Sequence, residues 1–228
     1  MHVLLVEDSP INRRFIGLAL SKAGIELTYA ENGRLGVEIA AAGQFDAILM
    51  DMQMPVMDGF AATARLRQLG LATPIIALTG HTTEADRDRC RDAGCSTHLS
   101  KPVDAARLID TLNDLVATVA PAGSAADSDD FSPELRQIAL DYLEVQQQRI
   151  TEMEESFESG DLNRLAELAH RVKGTAGTVG FPQFTAPAER LETAAASGDL
   201  QACPRILGQI AELQTEAEVS ALEPGYSP

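Results

Sequence analysis

Short apolar runs alternate with amphipathic stretches through the first half of the chain. The runs are HVLLVE (2–7), ELTYAE (26–31), FDAILMD (45–51), PIIALTG (74–80) and STHLS (96–100). Between and after them, near 9–23, 33–42, 58–69, 83–93 and 104–119, apolar residues recur at every third or fourth position. Short runs bounded by polar residues predict strands, and three-to-four spacing predicts helices. Strands alternating with helices imply βαβ units with right-handed crossovers. Residues 1–119 are therefore expected to form an α/β unit, a doubly wound parallel sheet with helices on both faces.

The pattern then changes. PAGSAADSDD (121–130) is small, polar and acidic, the composition of a flexible, solvated linker, which is placed at 120–130. Beyond it no strand pattern recurs, and long helical patterns run near 133–158, 161–180, 182–196 and 199–221. SGDL occurs twice, at 159–162 and 197–200, each time placing a Gly to end one helix and an Asp to cap the next. Pro133 after Ser132 marks another helix start. Residues 131–221 are expected to form an all-α unit, an antiparallel four-helix bundle.

The 228 residues are 45% apolar, enough for two cores, but they include no Trp and few aromatics, so Leu, Ile, Val and Ala must fill the interior. The formal net charge of −16 is divided unevenly. Residues 1–118 hold 15 acids and 11 bases, and residues 119–228 hold 19 acids and 7 bases. This excess argues against nucleic acid or an anionic membrane surface as the main partner. No apolar run is long enough for a membrane span or a secretory signal, and three cysteines (Cys90, Cys95, Cys203) cannot all pair within one chain. A cytoplasmic location without membrane insertion is expected. Cys90, Cys95 and His98 have a C-x4-C-x2-H spacing that suggests metal ligands, but a fourth ligand is not evident, and the group reads as small, semi-buried thiols.

Ligands of an open parallel sheet bind beyond the carboxyl ends of its strands. Glu7 and Asp8 end the first strand, Asp51 the third and Thr79 the fourth, and Lys101 follows the fifth, directly before Pro102. Three carboxylates at one rim repel each other unless a divalent cation joins them, and hard oxygen donors beside phosphate suit Mg²⁺. With Lys101 adding a positive charge and Thr79 a hydroxyl, the set can carry out phosphoryl transfer, Asp51 serving as nucleophile. Any one acid at a strand end reads equally well as a solvated loop residue. Five residues of fitting type together do not.

VEDSPINR, DMQMPVMDG, ALTG and SKP, in this order and spacing, resemble the motifs of the receiver domain of response regulators over about residues 1–119. The resemblance implies a flavodoxin-like (βα)5 fold with Asp51 as the phosphoacceptor. It further implies that Asp8 and Asp51 bind Mg²⁺ directly, Glu7 helps through water, and the backbone carbonyl of Gln53 is a further ligand. Thr79 and Lys101 would sense the phosphoryl group. Gly80 stands where the family usually has Ala, and His98 where it often has a switching Tyr or Phe. A switch built on Thr79 and His98 is thus expected to work less like an aromatic latch.

In the second half, HRVKGTAGTVG (170–180) continues a helical pattern yet carries Gly174, Gly177 and Gly180. Each interior Gly costs a helix about 1 kcal/mol relative to Ala. His170, Lys173, Gly174 and Gly177 are spaced as one stripe, away from the apolar face of Leu165, Leu168, Ala169, Val172, Ala176 and Val179. The expectation is an exposed His170 on a helix face flattened by glycines and made basic by Arg164, Arg171 and Lys173, suited to docking on an acidic pocket. Neutral imidazole is a competent nucleophile near neutral pH. AHRVKGTAGTVG resembles the H-x-x-K-G segment of histidine-phosphotransfer (HPt) domains, four-helix bundles that carry phosphohistidine, over about residues 131–221; Val172 and Thr175 replace a common Leu and Ser. By this resemblance His170 is the phosphorylated residue, with Lys173 and Gly174 supporting the phosphoryl group and its access; Gly177, on the same stripe, is expected to keep that access open.

Together the resemblances imply a two-component phosphorelay protein that exchanges phosphoryl groups with a sensor histidine kinase and other response-regulator receivers. Two other readings stay open at this point. One is a hydrolase of the aspartyl-phosphate type, which needs a second acid where this chain has Gln53. The other is a non-catalytic adaptor or kinase inhibitor that uses the bundle. Because the last helix of the first unit runs back from the rim, Asp51 and His170 of one chain are not expected to face each other at rest.

Overall fold

The computed structural model describes residues 1–80, 83–116 and 133–221. The linker expected at 120–130, and the unit boundaries at 119 and 131, lie outside the described residues. Contacts divide the chain into two units, Met1–Ser128 and Asp129–Pro228.

In the first unit β1 (His2–Val6), β2 (Glu26–Ala30), β3 (Ala47–Asp51), β4 (Ile75–Thr79) and β5 (Thr97–Ser100) form one parallel sheet in the order β2-β1-β3-β4-β5. Helices α1 (Pro10–Lys22), α2 (Gly33–Ala42), α3 (Gly59–Gln68), α4 (Glu84–Ala93) and α5 (Ala105–Val116) complete it. Alternation sends the side chains of each strand to two faces. Val3, Leu5, Leu49, Ile76 and Leu78 share one buried cluster with Ile16 and Leu20 of α1 and Leu108 and Leu112 of α5. Leu4, Val6, Ile48, Met50 and Ala77 share the other with Ala40 of α2, Leu66 of α3 and Cys90 of α4. Burial on both sides is why β1, β3 and β4 appear in the sequence as unbroken apolar runs. The strand order reverses at β1, so a crevice opens beyond the carboxyl ends of β1 and β3. Pairing of Val6 with Met50 sets Glu7 and Asp51 side by side there.

Among its described residues the second unit holds helices and no strand: α6 (Pro133–Glu158), α7 (Leu162–Ala176), α8 (Thr185–Ser197) and α9 (Ala202–Ala221), with a 3-10 turn at Pro182–Phe184 before α8. α7 packs on α6 and α8, and α9 packs on the same two, which closes a four-helix bundle. In its interior Tyr142 stacks on Phe181 with ring centroids 5.4 Å apart, and Phe184 meets both edge-on at 6.3–6.4 Å. The SGDL repeats act as their composition suggests. Gly160 and Gly198 adopt φ of 76° and 74°, while Asp161 Oδ1 accepts from the Arg164 N–H at 3.0 Å and Asp199 Oδ1 from the Ala202 N–H at 3.1 Å.

One element departs from expectation. α7 stops at Ala176 instead of running to 180. Gly177 is its C-cap, and Gly180, at φ 93°, turns the chain so that the Phe181 N–H donates to Ala176 O at 2.9 Å. Val179 and Phe181 are both buried by this turn. Helical spacing therefore persists in the sequence past the point where the helix ends.

Candidate functional site

At the carboxyl rim of the sheet, Glu7, Asp8 and Asp51 each bring a carboxylate oxygen into one group, all within 4.8 Å of one another. Glu7 and Asp51 are buried and Asp8 is half-buried. The loop after β1 is shaped by the start of α1, where Ser9 caps the helix and Pro10 occupies its first turn. That turn directs the Ser9 N–H (3.2 Å) and Asn12 Nδ2 (3.1 Å) at Glu7 Oε1. Arg13 ties the same loop down, its guanidinium donating to the carbonyl oxygens of Glu7 and Asp8 at 2.5 and 3.0 Å.

Lys101 Nζ lies 2.8 Å from both Glu7 Oε2 and Asp51 Oδ2, with its side chain only 7% exposed. Its backbone N–H donates to Thr79 O at 2.7 Å, which fixes β5 against the end of β4, and the Lys101–Pro102 peptide is cis. Asp51 Oδ1 accepts the Gln53 N–H at 3.1 Å. Gly59 lets α3 begin directly on the end of β3: a Cβ at this position would lie 2.2 Å from Asp51 O. Burial raises the Asp51 carboxyl, the Lys101 charge lowers it and the Glu7 charge raises it again, leaving it at about 7. Burial alone would lower Lys101, but the two carboxylates hold it above its ordinary value.

Donors that are all oxygen, three carboxyl groups with one ammonium bridging two of them, fit a hard divalent cation. Thr79 is buried at the end of β4, and His98 is half-buried on β5. Alternation and the pairing of His98 with Ala77 place both on the sheet face that carries α2, α3 and α4. Cys90 and Cys203 are buried and Cys95 is half-buried, all as free thiols, with Cys95 pushed up to about 11 by burial. Among the described residues, the rim carboxylates are the one cluster of His, Cys, Asp or Glu able to hold a metal ion.

The second unit holds the other candidate. His170, on α7, is 23% exposed, and its Nδ1 lies 2.9 Å from Glu192 Oε1 on α8. Glu192 Oε2 lies 2.6 Å from Lys173 Nζ. Burial would raise the Glu192 carboxyl, but the hydrogen bonds and charges of His170 and Lys173 bring it down to about 2.

The expectation of an open, basic helix face needs correction. Lys173 is 4% exposed, because Glu192 reaches it from α8 and neutralises it, and Gly174 on the same stripe is buried. Gly177 caps the helix rather than baring its interior. Arg164, its side chain 40% exposed, pairs with Glu152 at 3.1 Å and Glu167 at 3.3 Å, and Arg171 is exposed. Glu192 was not among the sequence candidates. In ERLETAAAS it reads as a solvent-facing acid, and only the pairing of α7 with α8 brings it to a histidine 22 residues away.

The chain matches the family model of the response regulator receiver domain over residues 3–113 and that of the Hpt domain over residues 137–223. It is 44% identical over 112 residues to the two-component response regulator ORR41 of Oryza sativa subsp. japonica, covering 47% of this chain and 88% of that relative. It is 29% identical over 248 residues to the signal transduction histidine-protein kinase BarA of Escherichia coli (strain K12), covering 95% of this chain and 26% of the kinase. With the sensor histidine kinase RcsC of the same organism, identity is 38% over 103 residues, 45% of this chain and 11% of the kinase. The chain thus spans about a quarter or less of these kinases. Among solved structures it resembles the receiver domain of the Francisella response regulator 1452, with 26% identity and a TM-score of 0.51 over 52% of this chain and 98% of that one. It also resembles a chain in the co-crystal structure of the Saccharomyces cerevisiae histidine phosphotransfer signaling protein Ypd1 and the receiver domain of its downstream response regulator Ssk1. Here identity is 32% and the TM-score 0.50, over 52% of this chain and 90% of that one. Among the described residues, no helix is long and apolar enough to cross a membrane. A buried aspartate beside a lysine at the end of β3, and a histidine on a four-helix bundle, stand where these two matches fall: the chain belongs to the response-regulator receiver family and carries an Hpt domain behind its receiver.

Proposed function

We propose that this chain relays phosphoryl groups between two-component signalling proteins, through an aspartyl phosphate on Asp51 and a phosphohistidine on His170. One observation carries the reading: the buried Asp51 carboxylate, 2.8 Å from the buried Lys101 ammonium, inside a group of three carboxylates. An Asp51 oxygen attacks the phosphorus of a donor phosphohistidine. The P–N bond breaks as the P–O bond forms, and its electron pair leaves on the donor imidazole. Lys101, bonded to Asp51 before transfer, follows the new charge onto the phosphoryl oxygens, and the Thr79 hydroxyl at the neighbouring strand end registers the group.

Asp8, Asp51 and the Gln53 backbone carbonyl would hold Mg²⁺. Glu7, whose oxygens accept from Ser9, Asn12 and Lys101, would contribute through water. When bound, the ion supplies positive charge to the carboxylates and the phosphoryl oxygens. His170 in the bundle takes the phosphoryl group from, or returns it to, a receiver aspartate, with Lys173, Gly174 and Gly177 beside it. Sensor histidine kinases and other receivers are the partners, in the cytoplasm. The co-crystal of a histidine phosphotransfer protein with a receiver domain supports this class of partner.

The test is labelling by a small acyl-phosphate donor with Mg²⁺, together with a phosphorylated partner receiver. Asp51→Asn is expected to lose the base-labile, acid-stable label and His170→Gln the acid-labile one. Label undiminished in either variant overturns that assignment.

A further inference from the structure

We propose that Cys90 and Cys95 are a redox site of the first unit, a dithiol that hydrogen peroxide closes to a disulfide without unfolding the chain. The inference stands apart from the phosphoryl reading. It starts from the C-x4-C spacing, which the chemistry of the rim leaves unused. α4 ends at Gly94, whose φ of 99° turns the chain back on the helix. The Gly94 N–H then donates to Arg91 O at 2.9 Å and the Cys95 N–H to Cys90 O at 3.0 Å. A helix end of this kind folds the residue after the glycine over the last turn, where a pair of apolar side chains usually meets. Here the pair is two thiols, which share a hydrogen bond. Arg67 of α3 clamps the turn, donating to Gly94 O at 2.9 Å, Leu71 O at 2.7 Å and Thr73 O at 2.9 Å. A Cβ at position 94 would lie 2.7 Å from Arg67 Cγ, so the clamp closes on glycine.

Exposure sets the order of events. Cys90 is 3% exposed inside the apolar cluster, and Cys95 is half-buried at its edge. Burial and the neighbouring Cys90 push the Cys95 thiol up to about 11, so the resting pair is two thiols and reacts slowly. A small, uncharged oxidant suits such a site. The Cys95 sulfur, as thiolate, attacks a peroxide oxygen; the S–O bond forms, the O–O bond breaks, and hydroxide leaves as water with the thiol proton. Cys90 Sγ then attacks Cys95 Sγ of the sulfenic acid. The S–S bond forms, the S–O bond breaks, and hydroxide leaves as water with the Cys90 proton. Two thiols give up two electrons in all, and one peroxide becomes two waters. Because the thiols already touch, closure needs side-chain rotation and no movement of an element.

The test is peroxide treatment of the full chain, alkylation of the remaining thiols, tryptic digestion and mass spectrometry. Arg91 separates the two cysteines, so trypsin parts their peptides unless a bridge joins them. The expected product is the joined pair, lighter by two hydrogens and parted again by dithiothreitol. Cys203, whose thiol donates to Asp199 O at 3.3 Å, is expected to remain alkylated. Cys90→Ala is expected to leave Cys95 as a sulfenic acid that dimedone traps, and Cys95→Ser to leave Cys90 reduced. Should Cys90→Ala not fold, the wild-type linkage and Cys95→Ser still decide the matter. The urea midpoint of the oxidised chain is expected to be no lower than that of the reduced one. A wild-type chain that keeps both thiols, joins to a second chain through Cys95, or carries oxidised Cys95 beside reduced Cys90 overturns the proposal. So does an oxidised chain with a lower midpoint, since the bridge would then strain the fold.

Discussion

Several residues at the rim hold its geometry without adding charge to it. Gly59 is the clearest case, since a Cβ there would meet Asp51 O at 2.2 Å and Met52 Cα at 2.8 Å, both backbone atoms that cannot swing aside. Gly59→Ala is expected to destabilise the first unit by about 1–3 kcal/mol, the usual cost of overpacking, and to weaken phosphoryl labelling of Asp51. Urea denaturation of the full chain reads the first effect, and an unchanged midpoint would mean that α3 can slide off the strand end at no cost. The rim groups themselves were legible in the sequence because a strand end fixes where they go: Glu7, Asp51 and Thr79 each lie at the end of a run of buried apolar residues. Glu192 was not. Its partners lie on another helix, and a surface acid that neutralises a buried lysine has no local signature distinct from a solvated one.

Elements were legible wherever caps and periodicity agreed. Asp58, Thr83 and Asp161 each accept the backbone N–H three residues on, at the starts of α3, α4 and α7. The end of α7 was missed because Val179 keeps the apolar spacing while Gly180 has already turned the chain. The contact between α7 and α8 that follows carries a pH dependence of definite sign. Glu192 titrates at about 2 instead of 4.5, so its contribution is fully present above about pH 4.5 and is lost as the pH falls towards 2. After allowance for partial exposure it is on the order of 1–2 kcal/mol at neutral pH. Calorimetry of the full chain is therefore expected to find Glu192→Gln less stable than wild type at pH 7, with the two converging below about pH 3. A gap that stays constant across that range would remove the ionised carboxylate as its cause.

Charge acts on the whole molecule. Residues 1–118 carry a formal charge of −4 and residues 119–228 one of −12, and a phosphoryl group on Asp51 adds further negative charge. Two copies of the chain therefore repel at long range, over about 30 Å at 0.01 M salt but only about 8 Å at 0.15 M. Local complementarity offers little to offset this, because two of the three cations around His170 are already paired with Glu152, Glu167 and Glu192. Mixing an Asp51→Asn chain with a phosphorylated His170→Gln chain isolates transfer between molecules, since the first can only accept on His170 and the second can only donate from Asp51. The second-order rate constant is expected to rise several-fold, roughly three- to tenfold, between 0.01 and 0.15 M salt as the repulsion is screened. A cognate receiver with a basic docking face should respond in the opposite direction, its rate falling over the same interval, so salt separates transfer among copies of this chain from transfer to a dedicated partner. A rate between the two mutant chains that falls as salt is added would mean that attraction local to the docking faces, with Arg171 as an exposed cation on α7, outweighs the net charge of the molecule.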